Sequence, residues 1–301
     1  MRIAITGGTG FLGKYVVEYL KKENYTPIIL TRKKKEIPNI NCECRITDYS
    51  EKDLIDKLLD IDAVVHLAAK RGSQGRIVEF HDNEMLTQNL YEACCGINIT
   101  NIVYASTISV YSDETLLPWT EIQLPKPALM YGVSKLTNEN IGNIFSNKKG
   151  LNIKNLRLAH LYGFNEKNNY MINRFFRQAF HHEQLVLNAK SVAKREFLYG
   201  KDAAKAIFCS LKQSSISGTF NVGSGDALTN FEVADTINDQ FGNRGNLLVM
   251  DNKANEGIDS SFMDSSKAKT KLDFSPDYTF SAAINEIYTM MKGLDDVPLL
   301  Y

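Results

Sequence analysis

No stretch of the 301-residue chain approaches the roughly 18 consecutive apolar residues of a membrane span, so no membrane partner is expected. An excess of one charge is equally absent. Thirty-five Lys and Arg balance 35 Asp and Glu, which leaves no electrostatic footprint for nucleic acid. The basic run Lys33-Lys34-Lys35 is short and suits solvent or a small anion better than DNA. The five cysteines (Cys42, Cys44, Cys94, Cys95 and Cys209) are odd in number and scattered. They argue against a disulfide framework and for reduced thiols in a cytoplasmic protein. Cys42-x-Cys44 places two sulfurs on one strand face, yet no nearby residues complete a metal site, and no metal is expected. A charged-then-apolar secretory segment is missing, because the first residues already read as core strand. Repeats and low-complexity segments are missing too. What remains is a chain long enough for a large core, as one α/β domain or a domain with a smaller lobe.

The stretch that organises the rest is Ile3-Ala4-Ile5-Thr6-Gly7-Gly8-Thr9-Gly10-Phe11-Leu12-Gly13. An apolar, β-branched run ends in a glycine cluster. A helical pattern follows at once, with Tyr15, Val16, Tyr19 and Leu20 on one face and Lys14, Glu18, Lys21 and Lys22 on the other. Strand, tight turn and helix is the geometry in which glycines admit a pyrophosphate to bare backbone at a positive helix N-terminus. The spacing is Gly7-x-x-Gly10-x-x-Gly13, not the usual G-x-G-x-x-G.

Strands and helices then alternate. Strands are expected at 26–31, 41–46, 62–67, 101–106 and 151–158, and helices at 50–59, 77–95 and 128–145. Such alternation implies right-handed crossovers and a parallel sheet covered on both faces, doubly wound, with a cofactor across the strand C-termini. After about residue 160 the rhythm changes to short strands near 184–187, 195–199 and 219–222, with helices near 173–182, 202–212, 230–241 and 280–292. The expected division is residues 1–160 as a Rossmann-type dinucleotide-binding domain and 161–301 as a smaller α/β substrate-binding lobe, with the chain crossing between them. The second half has no glycine fingerprint of its own.

Tyr131-Gly132-Val133-Ser134-Lys135 carries the strongest catalytic signal. Positions i and i+4 share a helix face, so phenol and ammonium can point into one cleft. A phenol works as acid or base near neutral pH only if its pKa falls well below about 10, and a nearby Lys cation pulls it down. The same Lys can donate to ribose hydroxyls. Ala105-Ser106-Thr107 adds hydroxyls at the end of the fifth strand, where they either hold a substrate oxygen or cap the following turn.

These stretches, with His66-Leu-Ala-Ala69, Ser106-Thr-Ile-Ser-Val-Tyr111, Leu156-Arg-Leu-Ala-His-Leu-Tyr-Gly163, Arg195-Glu-Phe-Leu-Tyr199, Asp202 and Asn221-Val-Gly-Ser224, occur in the order found in extended short-chain dehydrogenases/reductases. The chain resembles these NAD-dependent epimerases/dehydratases over nearly its whole length, through Asp264-Ser-Ser-Lys267 and Leu272-Asp-Phe-Ser-Pro276. The resemblance implies Thr107, Tyr131 and Lys135 as catalytic trio. It places Gly7, Thr9, Gly10 and Gly13, with the amides of Phe11 and Leu12, on the pyrophosphate. Thr31, Arg32 and Ile46 would border the adenosine, and Leu67, Ala68, Ala69 and Lys70 its ribose and phosphate. Ala105, Leu158 and His160 would face the nicotinamide. Lys70, Thr107, His160 and Arg195 would meet substrate, and Asn83 would steady the active-site backbone. Hydride would pass between nicotinamide and a sugar carbon while Tyr131 moves the proton.

Departures from the family pattern narrow this expectation. NAD-preferring members carry an acid at the end of the second strand; here stand Thr31-Arg32-Lys33, which favours NADP over NAD. Arg45 replaces the Asp that meets adenine. Ile108-Ser109 replaces the Asp-Glu pair of sugar-nucleotide dehydratases, so elimination of water has no obvious catalyst. His160 stands for a common Asn, either donating to a phosphate or forming pocket wall. Lys253 lies one place from an Arg absent at Ala254. The expected activity is reduction of a 4-keto nucleotide sugar or C4 epimerisation, in a homodimer. The alternatives are a reductase of small ketones or aldehydes and a non-catalytic NADP-binding regulator.

Overall fold

The computed structural model describes residues 1–33, 42–71, 75–166, 169–190, 192–250 and 259–294. Its first half runs β1 (Arg2–Thr6), α1 (Phe11–Lys22), β2 (Thr26–Thr31), β3 (Glu43–Ile46), α2 (Glu51–Leu58), β4 (Ala63–His66), α3 (His81–Gly96), β5 (Asn101–Thr107), α4 (Met130–Lys149) and β6 (Asn152–Leu158). The second half contributes β7 (His160–Tyr162), α5 (Met171–Phe180), β8 (Leu185–Leu187), β9 (Lys194–Tyr199), α6 (Gly200–Lys212), β10 (Gly218–Val222), β11 (Ala227–Thr229), α7 (Asn230–Gln240), β12 (Leu247–Val249), α8 (Ser266–Leu272) and α9 (Phe280–Lys292).

Ile3, Ala4 and Ile5 are fully buried, as are Val64, Val65, Ile102 and Val103. Strands apolar on both faces need cover on both faces, and a parallel sheet with crossover helices supplies it. The sheet has seven parallel strands in the order β10-β6-β5-β4-β1-β2-β3. Its order reverses beside β1, which is flanked by β4 and β2, and an open crevice forms at the strand C-termini where such reversals occur. The doubly wound sheet matches the sequence reading. The chain returns to this sheet late: β10 pairs in register with β6, Phe220 beside Leu156.

Helix starts follow local chemistry. Ser50 caps α2 by accepting from the Asp53 amide, and Thr229 and Glu232 form a reciprocal box at the start of α7. The helix expected over 77–95 begins instead as a 3-10 turn, Ile77–Phe80, where Glu79 reaches back to accept the Arg76 amide at 3.0 Å. The strand expected from Asn41 starts at Glu43, and Asn41 itself lies outside the described residues. Two small sheets, β11-β9-β7 and β12-β8, stand beyond the main one. Residues of β7, β9 and α5 form a wall facing the C-terminal edge of the large sheet. No helix among the described residues is long and apolar enough to cross a membrane.

Candidate active site

A cleft of about 1100 Å³ runs along the C-terminal ends of β1, β2, β4, β5 and β6. At its floor the β1–α1 turn is tight because Gly7 adopts φ 71° with backbone of Ala68 2.7 Å from where a Cβ would be. A Cβ on Gly13 would lie 2.3 Å from the Gly7 carbonyl oxygen, so only glycine lets α1 close on the turn. The N-terminus of α1 has no side-chain cap and no acid in its first turn. Bare amides at the positive end of a 12-residue helix fit a pyrophosphate.

Thr6, just before the turn, is tied to the next wall through His66. The Thr87 hydroxyl donates to the Asn83 carbonyl at 2.8 Å, so toward His66 Nε2, 2.9 Å away, it accepts. His66 Nδ1 is then bare and accepts from the Thr6 hydroxyl at 2.7 Å. Thr6 Oγ1 in turn accepts the amides of Leu67 and Ala68 at 3.2 and 3.1 Å. Burial holds the ring neutral and pushes its pKa down to about 3, with Lys135 acting in the same direction. The Asn83 side chain clamps both backbone polar groups of Lys70, at 2.7 and 3.3 Å, and donates to Ser134 Oγ on α4 at 3.2 Å. Asn83 thus steadies the backbone where the sequence placed it.

Tyr131 and Lys135 on α4 and Thr107 at the end of β5 all line the cleft. Thr107 also caps the turn after β5, accepting the Ser109 amide at 3.2 Å and donating to Ser109 Oγ at 3.3 Å. The capping reading of this hydroxyl is the one observed, and its position in the lining leaves it beside the cleft. The electrostatics differ from expectation. Burial raises the Tyr131 phenol above its ordinary value, and the opposing pull comes from Arg71. Lys135 is itself buried, which drives its pKa down to about 7, and its nitrogen rests 4.4 Å from the centroid of the Tyr104 ring. A lysine so desolvated is only partly charged near neutrality and cannot exert a full cation's pull.

His160 lines the cleft. Burial, then Arg195, lowers its pKa to about 4, and its Nε2 lies 2.8 Å from Ser261 Oγ. Arg195 donates to Asn230 Oδ1 at 2.7 Å and faces the cleft. Gly7, Thr9, Gly10, Phe11, Leu12, Gly13, Thr31, Arg32, Leu67, Ala68, Ala69, Lys70, Ala105 and Leu158 border the same cleft. Ile46 does not: it is 55% exposed on the edge strand β3. Arg45 points away as well, paired with Asp60 at 2.6 and 2.9 Å and with Glu43 at 2.8 Å. Lys34, Lys35, Lys253 and Ala254 lie outside the described residues.

Sequence reasoning missed Tyr49, Arg71, Asp82 and Ser109 in the cleft lining. Tyr49 could not be read, because a left-handed backbone at φ 63° brings it in. It also missed Glu139, one helical turn beyond Lys135, where i+4 spacing was the available signal. Behind the cleft Glu139 accepts from Arg157 Nη2 at 2.7 Å and from Ser106. Among the described residues the lining holds Arg32, Lys70, Arg71, Lys135 and Arg195 against a single carboxylate, Asp82. That balance suits polyanionic ligands.

Fold and cleft together define an extended short-chain dehydrogenase/reductase, an enzyme with a dinucleotide turn and a Tyr-x-x-x-Lys helix facing one crevice. The chain belongs to the NAD dependent epimerase/dehydratase family, which matches residues 3–223. It is similar to a crystal structure of UDP-N-acetylglucosamine 4-epimerase from Bacillus cereus, at 68% identity and TM-score 0.93, with 100% of each chain covered. UDP-glucuronic acid 4-epimerase from Bacillus cereus, in complex with UDP-glucuronic acid and NAD, matches at 25% identity and TM-score 0.82, covering 97% of this chain and 99% of the other. A Bacillus subtilis (strain 168) protein named as an uncharacterized UDP-glucose epimerase, YtcB, is 30% identical over 298 residues, or 92% of this chain and 93% of that protein.

Proposed function

We propose that this protein epimerises C4 of a UDP-linked N-acetylhexosamine, with Thr107, Tyr131 and Lys135 as catalytic residues. The observation that carries the reading is their convergence, with Arg195, on one cationic cleft whose floor is an uncapped helix N-terminus. The 68% identical neighbour, a UDP-N-acetylglucosamine 4-epimerase, supports the substrate class. A nicotinamide bound there supplies the reversible hydride acceptor at C4. Tyr131 takes the proton of the C4 hydroxyl and later returns it, while the Thr107 hydroxyl donates to the same oxygen and fixes its distance. Lys135 stands between its charged and neutral forms, so its protonation brings down a phenol that burial has raised. Arg195 and Lys70 hold the sugar diphosphate.

A second reading has one specific observation in its favour. Arg32 ends β2 where no carboxylate stands, which suits NADPH consumed in reducing a 4-keto nucleotide sugar. Incubation with UDP-N-acetylglucosamine and NAD⁺, and in parallel with a 4-keto nucleotide sugar and NADPH, separates the two. Epimerisation yields the C4 epimer by proton NMR with no net absorbance change at 340 nm. Reduction instead removes one NADPH per 4-keto sugar. Under either reading Tyr131→Phe lowers kcat by about 10²–10⁴ with little change in dinucleotide affinity, and an unchanged kcat refutes the role. The proposed assembly is a homodimer that pairs α4, the helix carrying Tyr131 and Lys135, with its neighbour α3, for which light scattering returns twice the chain mass.

A further inference from the structure

At the end of the cleft beside β2 the fold brings an arginine, a tyrosine and an aspartate together. Arg32 Nη1 lies 3.7 Å from Asp82 Oδ2, and its guanidinium carbon lies 5.7 Å from the centroid of the Tyr49 ring. Tyr49 is anchored on three sides. Its hydroxyl donates to the Leu30 carbonyl at 2.8 Å, its amide donates to Thr47 Oγ1 at 3.0 Å, and its carbonyl accepts from Asn89 at 3.0 Å. Its φ of 63° is rare for a bulky side chain and marks a position imposed by its surroundings. The ring is thus a fixed platform, and among the described residues the acid paired with the guanidinium above it is Asp82, from the first turn of α3. Side chains of Arg32 and Asp82 are 58% and 72% exposed, so the ion pair is weak and easily exchanged.

We propose that Asp82 is the cofactor-specificity residue of this cleft, standing in from α3 for the carboxylate that β2 lacks. Paired with Asp82, Arg32 is occupied, and the carboxylate faces the space where ribose hydroxyls donate. A 2′-phosphate must take the guanidinium from Asp82 and sit beside a like charge, so Asp82 penalises the phosphorylated dinucleotide and leaves the plain one untouched. The choice between NAD and NADP then rests on a two-residue contest rather than on the strand end alone. This rests on the proposed reading that a nicotinamide dinucleotide binds with its adenosine at the end of β2.

The test is calorimetric titration of the full chain with NAD⁺ and with NADP⁺, for the wild type, Asp82→Asn, Asp82→Ser, Arg32→Ala and the Arg32→Ala/Asp82→Asn double variant. Both Asp82 variants are expected to move the ratio of the two dissociation constants toward NADP⁺ by about five-fold or more. The shift is expected to shrink at high salt and to vanish in the Arg32→Ala background. A ratio within two-fold of wild type in both Asp82 variants overturns the proposal. The same shift without Arg32 also overturns it, since that would be a general field effect. If the wild type binds neither dinucleotide, the underlying reading fails and this inference falls with it. Wild-type binding with an unmoved ratio removes the inference alone.

Discussion

Removing one charge from the buried pair behind the cleft should expose how much of the catalytic helix depends on it. Glu139 on α4 and Arg157 on β6 are 1% and 4% exposed, and the guanidinium meets the carboxylate with Nε at 3.0 and 3.2 Å and Nη2 at 2.7 Å. Arg157 Nη1 also donates to the Tyr111 hydroxyl at 2.5 Å, which donates on to Asn221 at 3.0 Å. Glu139→Gln keeps the shape and one acceptor but leaves the guanidinium buried without its counter-charge. Breaking such a pair from one side costs about 3–5 kcal/mol. At roughly 2–3 °C per kcal/mol for a chain of this size, Tm should fall by about 6–15 °C. Replacing both partners by apolar residues of similar volume, Glu139→Leu with Arg157→Met, removes the stranded charge and should recover at least half of that loss. Differential scanning calorimetry of Glu139→Gln, Glu139→Leu, Arg157→Met and the double variant is the assay. A Tm within about 2 °C of wild type for Glu139→Gln, or a double variant worse than the sum of the single ones, would refute the reasoning.

Two further outcomes follow from the cofactor wall. The folded chain holds His66 neutral down to about pH 3, whereas an unfolded imidazole protonates near 6.5. Between these values the unfolded chain binds the extra proton, so this contribution is full above pH 6.5 and is lost as pH falls, by about 3 kcal/mol at pH 4. Nitrogen-15 NMR should show His66 as the Nε2–H tautomer without titration from pH 8 to 5, and a midpoint near 6.5 would contradict the chain of hydrogen bonds. On the turn, Gly13→Ala puts a methyl 2.3 Å from the Gly7 oxygen and 2.6 Å from Gly8 backbone, contacts that no side-chain rotation relieves. Dinucleotide affinity should fall more than ten-fold with circular dichroism unchanged. Gly10→Ala meets only the Gly7 oxygen, at 3.2 Å, and should cost far less, so equal affinities for the two variants would sink the steric account.

What the sequence revealed and what it hid divide along the range of the forces involved. The glycine turn, the alternation of strand and helix, and the pairing of Tyr131 with Lys135 on one helix face are local periodicities, and each appears where expected. Strands β7, β11 and β12 have three residues each and α8 has seven, and all four were missed, whereas the equally short β8 was read from the apolar run Leu185-Val186-Leu187. β10 was read as a strand, but its place beside β6 depends on pairing with a segment some 60 residues away, which no local pattern encodes. Electrostatics were hardest to read. The sequence shows that Lys135 can reach the cleft, and it does, yet burial decides whether that lysine is charged. The same desolvation lowers the pKa of His160 and raises that of Tyr131. Among the described residues the cleft lining gathers Arg32, Lys70, Arg71, Lys135 and Arg195 with Asp82 as its carboxylate, a positive balance that a diphosphate would complement. Binding of a dianionic ligand should therefore raise the proton affinity of Lys135 and raise Tm by mass action, and a nucleotide sugar that leaves Tm unmoved in a thermal-shift titration would count against the cationic cleft as its site.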